Sequence, residues 1–185
     1  MSIYYNYAPD ESKIFVLSYV DDCVYWYTNE DLGKCFVDAL GNRFQVNFLG
    51  FSHWFMSIRI SQLKYHSISV DQARYSTSIV AKYLDTATVK VSNKFYKTTP
   101  PADMIFTKED VSTSDEQVER FTREYNIHYR SFIGSLIYLL STRVELSFAV
   151  HKLAKFSANN GKVNFEGLVQ LLRYIRDNET LGMKY

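Results

Sequence analysis

Two adjacent carboxylates, Asp21 and Asp22, stand between the β-favouring runs 14–18 and 23–27. Neighbouring like charges oppose each other's ionisation, so the pair is best explained if a cation holds it. A hard divalent ion such as Mg²⁺ prefers carboxylate oxygen, and the tetrad Tyr19-Val20-Asp21-Asp22 then reads as a metal-binding turn for nucleotidyl transfer. That reaction joins a 3′-hydroxyl to a triphosphate between two metal ions about 3.5–4 Å apart, and carboxylates must bridge the ions. Its catalysis is mostly positioning and charge stabilisation, which rigid flanking strands supply. The plain alternative is a polar hairpin turn, which an Asp-Asp dipeptide alone more often makes.

The elements around the pair follow from pattern. Runs 14–18 and 23–27 predict a hairpin whose tip is 19–22. Thr28, with Asp31 three residues on, predicts the start of a helix through Leu32, Cys35, Phe36, Ala39 and Leu40, stopped by Gly41-Asn42. Segments 44–49 and 54–62 read as strands, 64–66 as a turn and 67–70 as a returning strand; Asp71 caps a second helix carrying Tyr75, Ile79, Tyr83 and Leu84. Hairpins mixed with helices in this way imply an antiparallel α+β layer over 1–85. Residues 86–115, rich in Thr, Ser and Lys and holding two of the three prolines, read as a linker. From 116 to 185 the apolar spacing is helical, at 129–140, 144–156 and 165–175.

At 185 residues and 46% hydrophobic the chain can bury a real core. A net charge of +1 gives no global pull toward nucleic acid, so such binding needs local basic surface. No run approaches the roughly 18 apolar residues of a membrane span. Cys23 and Cys35, with no signal peptide before them, read as reduced thiols of an intracellular protein, cytoplasmic or nuclear. His53, His66, His128 and His151 have no partner at a recognised metal-ligand spacing and read as packing or surface residues.

Several further motifs keep the tetrad company: FVLSYVDD at 15–22, NFLG at 47–50, WFMSIRI at 54–60, SISVDQARY at 67–75, IGSLIYLLSTR at 133–143, SFAVHKLAKF at 147–156, then LLRYIRDN and LGMKY. In this order they resemble the reverse transcriptase, an RNA-directed DNA polymerase, of copia-type LTR retrotransposons. The resemblance implies a partial polymerase palm followed by a helical thumb or connection subdomain, with Mg²⁺ as cofactor. It implies that Asp21 is the principal metal ligand and Asp22 its neighbour, with Tyr19 and Val20 near the primer's terminal sugar. Trp54, Phe55 and Met56 would belong to the primer grip, and the helices after Glu116 would lie along the template-primer duplex. Lys152 with Lys155, and Arg173 with Arg176, stand at helical spacing and suit phosphate contacts; a solvated helix face is the bland reading of the same spacing. Arg59 is open between a local carboxylate and template.

The resemblance also implies what is missing. The family's site uses a third carboxylate from an earlier strand, yet only twenty residues precede Asp21 and their sole acids are Asp10 and Glu11. The fingers, the first half of the palm and a following RNase H domain are expected to be absent, so the isolated chain is expected not to polymerise. The partners of the whole enzyme would be an RNA or DNA template-primer, dNTP and the missing upstream half. A non-catalytic nucleic-acid-binding or interaction module derived from such an element is the alternative. Five positions in three places depart from the family's pattern: Ser57 for Gly, Val144-Glu145-Leu146 for Pro-Asp-Ile, and Asn164 for His.

Overall fold

The computed structural model describes residues 1–83, 107, 111–112 and 114–185. The expected linker lies almost wholly outside them, as does Leu84. The fold is mixed α+β, with antiparallel sheets and helices, and the chain divides into two compact units, Met1–Met56 and Ser57–Tyr185.

The first unit is a three-stranded antiparallel sheet in the order β1 (Ser2–Tyr7), β2 (Lys13–Tyr19), β3 (Asp22–Tyr27), with helix α1 (Glu30–Gly41). The β2–β3 hairpin is as expected, its register running from Ile14↔Tyr27 to Tyr19↔Asp22. Strand β1 was not foreseen, although Ile3, Tyr5 and Tyr7 alternate as a strand requires. Partner residues share a face. One face therefore carries Val16 with Tyr25 and Ile14 with Tyr27, and α1 packs there: Phe36 meets Tyr25 at 5.2 Å between ring centroids. At Gly33 a β-carbon would come within 2.6 Å of the Tyr27 ring, so only glycine allows this approach.

Three details of this unit differ from the sequence reading. Asn29, not Thr28, caps α1, its side-chain oxygen accepting from the Asp31 N–H at 2.9 Å. The Thr28 hydroxyl instead accepts from the Lys13 N–H at 2.8 Å and closes the base of the hairpin. Segment 44–49 is not a strand: the Arg43 and Phe44 N–H groups turn back to the Leu40 carbonyl, and among the described residues no strand pairs with it.

The expected strand 54–62 is broken in two. Met56 and Ser57 both adopt left-handed backbone angles, φ 50° and 60°, the paired positive values of a tight reversing turn. The result is a two-residue β4 (Trp54–Phe55) and a separate β5 (Ile58–Gln62).

In the second unit β5 pairs with β6 (Ile68–Asp71), and β6 also pairs with an unforeseen β7 (Gly182–Lys184). The turn at 64–66 is a single 3-10 turn, as expected in place. Asp71 caps α2 (Ala73–Tyr83) by accepting from the Ala73 N–H at 3.1 Å, while its other oxygen takes the Arg59 Nε at 2.8 Å. Arg59 thus has the local carboxylate as its partner. Helices α3 (Asp115–Tyr125), α4 (Tyr129–Leu139), α5 (Ser147–Ala154) and α6 (Lys162–Asp177) follow.

Their apolar faces, with α2, enclose one core in which Phe132, Leu136, Leu146, Val150, Phe165 and Leu172 are fully buried. Each such side chain contributes about 1.5–3 kcal/mol by leaving water. Arg143 is buried among them: its Nε pairs with Glu145 and an Nη donates to the Asn178 carbonyl at 2.9 Å. Glu145 thus supplies a carboxylate beside the buried arginine, and Leu146 an apolar anchor in the core. Asn164, also buried, accepts from the Gly161 N–H at 2.8 Å and tightens the start of α6.

Candidate active site

The tetrad 19–22 forms the two-residue tip of the β2–β3 hairpin, and Tyr19 pairs directly with Asp22. Val20 occupies the turn with φ 51°, a conformation that crowds any side chain and a β-branched one most. Holding it there costs about 1–3 kcal/mol, which the flanking ladder must offset. Val20 is 82% exposed, so burial does not recompense the strain. Both Asp21 and Asp22 project into solvent, and among the described residues neither side chain makes an ion pair or hydrogen bond. Such a pair offers oxygen donors to a hard cation and little else.

No third acid joins them. Among the described residues no group of three His, Cys, Asp or Glu side chains is placed to hold a metal ion. Asp10, one of the two acids upstream of the tetrad, lies in the β1–β2 turn at the opposite end of the sheet. Six residue steps of β2 separate the two ends, about 20 Å at ~3.4 Å per residue. Asp10 is occupied locally, accepting from the Ser12 hydroxyl at 2.6 Å and the Ser12 N–H at 3.1 Å, which hold its carboxyl below the usual range.

The other sequence-marked residues lie on other elements. Trp54 and Phe55 form β4, and Met56 enters the left-handed turn after it. Lys152 lies on α5 with its ammonium 5.6 Å from the Phe148 ring centroid, and Lys155 caps the end of that helix. Arg173 and Arg176 lie on α6, where Arg176 is held by Asp177 at 2.8 Å. Of the histidines, His151 sits on exposed α5 surface with Nδ1 2.7 Å from the Ser147 carbonyl. Sequence reasoning missed the buried polar set Gln72, Thr142 and Arg143, in which the Thr142 hydroxyl donates to Gln72 at 2.9 Å. Periodicity carries no signal for it, since polar residues at core positions break the pattern.

Comparison with known proteins gives the ancestry. The chain is 28% identical over 172 residues to the retrovirus-related Pol polyprotein from transposon RE2 of Arabidopsis thaliana, which covers 93% of the chain and 11% of that protein. Against transposon RE1 of the same plant the identity is 26% over 175 residues, and against transposon TNT 1-94 of Nicotiana tabacum 23% over 177. The chain is a distant homologue of retrotransposon Pol polyproteins. It spans about one ninth of the length of these relatives, 11–13%. No family model matches it, and no solved structure does. Among the described residues no helix is long and apolar enough to cross a membrane.

Proposed function

We propose that the chain is part of a copia-type reverse transcriptase, containing the metal-binding turn of the palm and the helices of the thumb. The observation that carries this reading is the acid pair on a rigid hairpin tip, in a chain whose homology to Pol polyproteins covers nearly its whole length. Asp21 and Asp22 would hold Mg²⁺, which needs only one or two protein carboxylates and completes its octahedron with water and substrate phosphate. When bound, Mg²⁺ activates the attacking oxygen and supports the leaving one. The chain's own part is placement: β2 and β3 fix where the carboxylates stand, α1 fixes the sheet, and Tyr19 and Val20 border the primer's terminal sugar. Trp54, Phe55 and Met56 would hold the primer end. Lys152, Lys155, Arg173 and Arg176 would meet the backbone of the template-primer duplex, which draws cations by releasing its counterions.

The resembled family's site uses three carboxylates and the described residues bring only two together, so the chain by itself is expected not to sustain synthesis; a misplacement of about 1 Å alone costs roughly 10²-fold. The test is dNTP incorporation on a primed RNA template, together with Mn²⁺ binding read from proton relaxation. Weak Mn²⁺ binding lost in Asp21→Asn, without synthesis, is expected. Sustained Mg²⁺-dependent synthesis abolished by Asp21→Asn would refute the claim of inactivity, and undiminished Mn²⁺ binding in Asp21→Asn would remove the metal site. The second reading is a non-catalytic nucleic-acid-binding or interaction module that keeps the basic helix surface of Lys152, Lys155, Arg173 and Arg176 and retains the acidic turn only as a relic. That reading requires salt-dependent duplex binding lost when the four basic residues become Gln.

A further inference from the structure

The first unit's sheet has two unlike faces. Helix α1 packs on one; the other carries Tyr19 and Asp22 at the tip, then Ile3, Leu17 and Val24, then Tyr5, Phe15 and Trp26, then Tyr7 and Lys13. Strand alternation fixes that assignment. The aromatic members touch in sequence across all three strands: Tyr5 to Tyr7 at 5.6 Å between centroids, Tyr7 to Phe15 at 6.5 Å, and Phe15 stacked on Trp26 at 5.2 Å. Yet the ladder is open to solvent, with Tyr5 67% and Trp26 50% exposed. A contiguous exposed face of this kind marks an interaction surface.

Charge decides the partner. Residues 1–56 carry seven carboxylates against three cations, Lys13, Lys34 and Arg43. Acids stand at both ends of the open face, Asp22 and Asp21 at the tip, Asp10 and Glu11 at the base turn. One cation already uses the surface: the Lys13 ammonium lies 5.4 Å from the Tyr7 ring centroid. Aromatic faces attract cations through their quadrupole, guanidinium most of all. A polyanion stacking its bases on the rings would meet carboxylates at each end of the track.

We propose that this face docks a cationic protein segment, lysine- or arginine-bearing, laid along the aromatic ladder with its charges toward the two acidic ends. The inference rests on the sheet face alone and stands whether or not the turn binds metal.

The probe is an octa-arginine peptide titrated into the full chain, carrying Trp54→Phe so that fluorescence reports Trp26. Saturable, salt-sensitive quenching is expected. Tyr5→Ser and Tyr7→Ser each weaken binding about 2–5-fold, the size of one exposed cation–π contact. Lys13→Gln acts in the opposite sense and tightens binding by a similar factor, because it removes the resident cation from Tyr7. A general loss of folding moves all three variants the same way, and circular dichroism of each confirms its fold. The proposal is overturned if octa-arginine leaves Trp26 unchanged, or if oligo(dT) binds the face more tightly and loses affinity in the same variants. It is equally overturned if Trp26 changes with chain concentration alone, which would make the occupant a second copy.

Discussion

Gly33→Ala tests how α1 is seated on the hairpin that carries the acid pair. At an exposed helix interior the change stabilises by about 1 kcal/mol, since alanine loses less backbone entropy. Here the new β-carbon would stand 2.6 Å from two carbons of the Tyr27 ring and 3.0 Å from a third. Because the contact includes the ring atom nearest the backbone, swinging the ring tip does not relieve it; helix and strand must part, and overpacking of that kind costs about 1–3 kcal/mol. The strain outweighs the propensity, leaving a net loss of roughly 1 kcal/mol, and the sign is the informative part. In a Tyr27→Ser background the same change should stabilise by about 1 kcal/mol, giving a coupling of about 1–3 kcal/mol between the two positions. Urea unfolding followed through Trp26, with Trp54→Phe to silence the other indole, reads both values. Gly33→Ala stabilising the chain equally with and without Tyr27 would refute the close packing and the argument that the hairpin's position is fixed through it.

Val20→Gly relieves the left-handed strain, worth about 1–3 kcal/mol, against about 0.5–1 kcal/mol of added unfolded-chain entropy; a net gain of up to ~2 kcal/mol in the same urea assay is expected. Glu145→Ala leaves the buried Arg143 guanidinium without its carboxylate; breaking a buried pair costs about 3–5 kcal/mol, and the partial exposure of Glu145 lowers the expectation to about 2 kcal/mol or more, with Glu145→Asp losing less. Burial, then the charges of Glu166 and Glu124, push the Tyr125 phenol up to about 12, and burial raises Tyr129 as well. The folded state thus keeps protons that the unfolded state releases near pH 10, so their contribution is intact below pH 10 and falls away as pH climbs toward 12. The part of the tyrosinate absorbance that Tyr125→Phe and Tyr129→Phe remove, rising together with loss of helix and not ahead of it, checks this.

The hairpin was legible because two β-favouring runs bracket a polar pair, and the helices because apolar spacing near 3.6 is redundant over many residues. Boundaries that depend on one hydrogen bond were not. Thr28 and Asn29 are both good caps, and only the hairpin's demand on the Thr28 hydroxyl gives the role to Asn29. Segment 44–49 has strand composition but lacks a neighbour, and a strand is a property of pairs. The break at Met56 and Ser57 was hidden because neither residue type announces a positive φ. At the candidate site, the acid pair was readable, but the aromatic face beside it was not, because that face exists only once β1 pairs with β2 and no turn dipeptide between them announces the pairing. Burial of Arg143 was invisible for the reason that arginine is nearly always outside.

The pairing of Asp71 with Gly182 ties β6 to the far end of the second unit, and the Thr77 hydroxyl reaches Glu179 across 102 positions. Such distant partners make closure slow, since chain entropy is spent before the contact returns anything. The first unit, whose strands meet only neighbours in sequence, can settle while its successor is still being synthesised. A ribosome that stalled between Tyr83 and Thr180 would therefore release a finished acidic turn attached to a strand with one bare edge, a species prone to join with others of its kind.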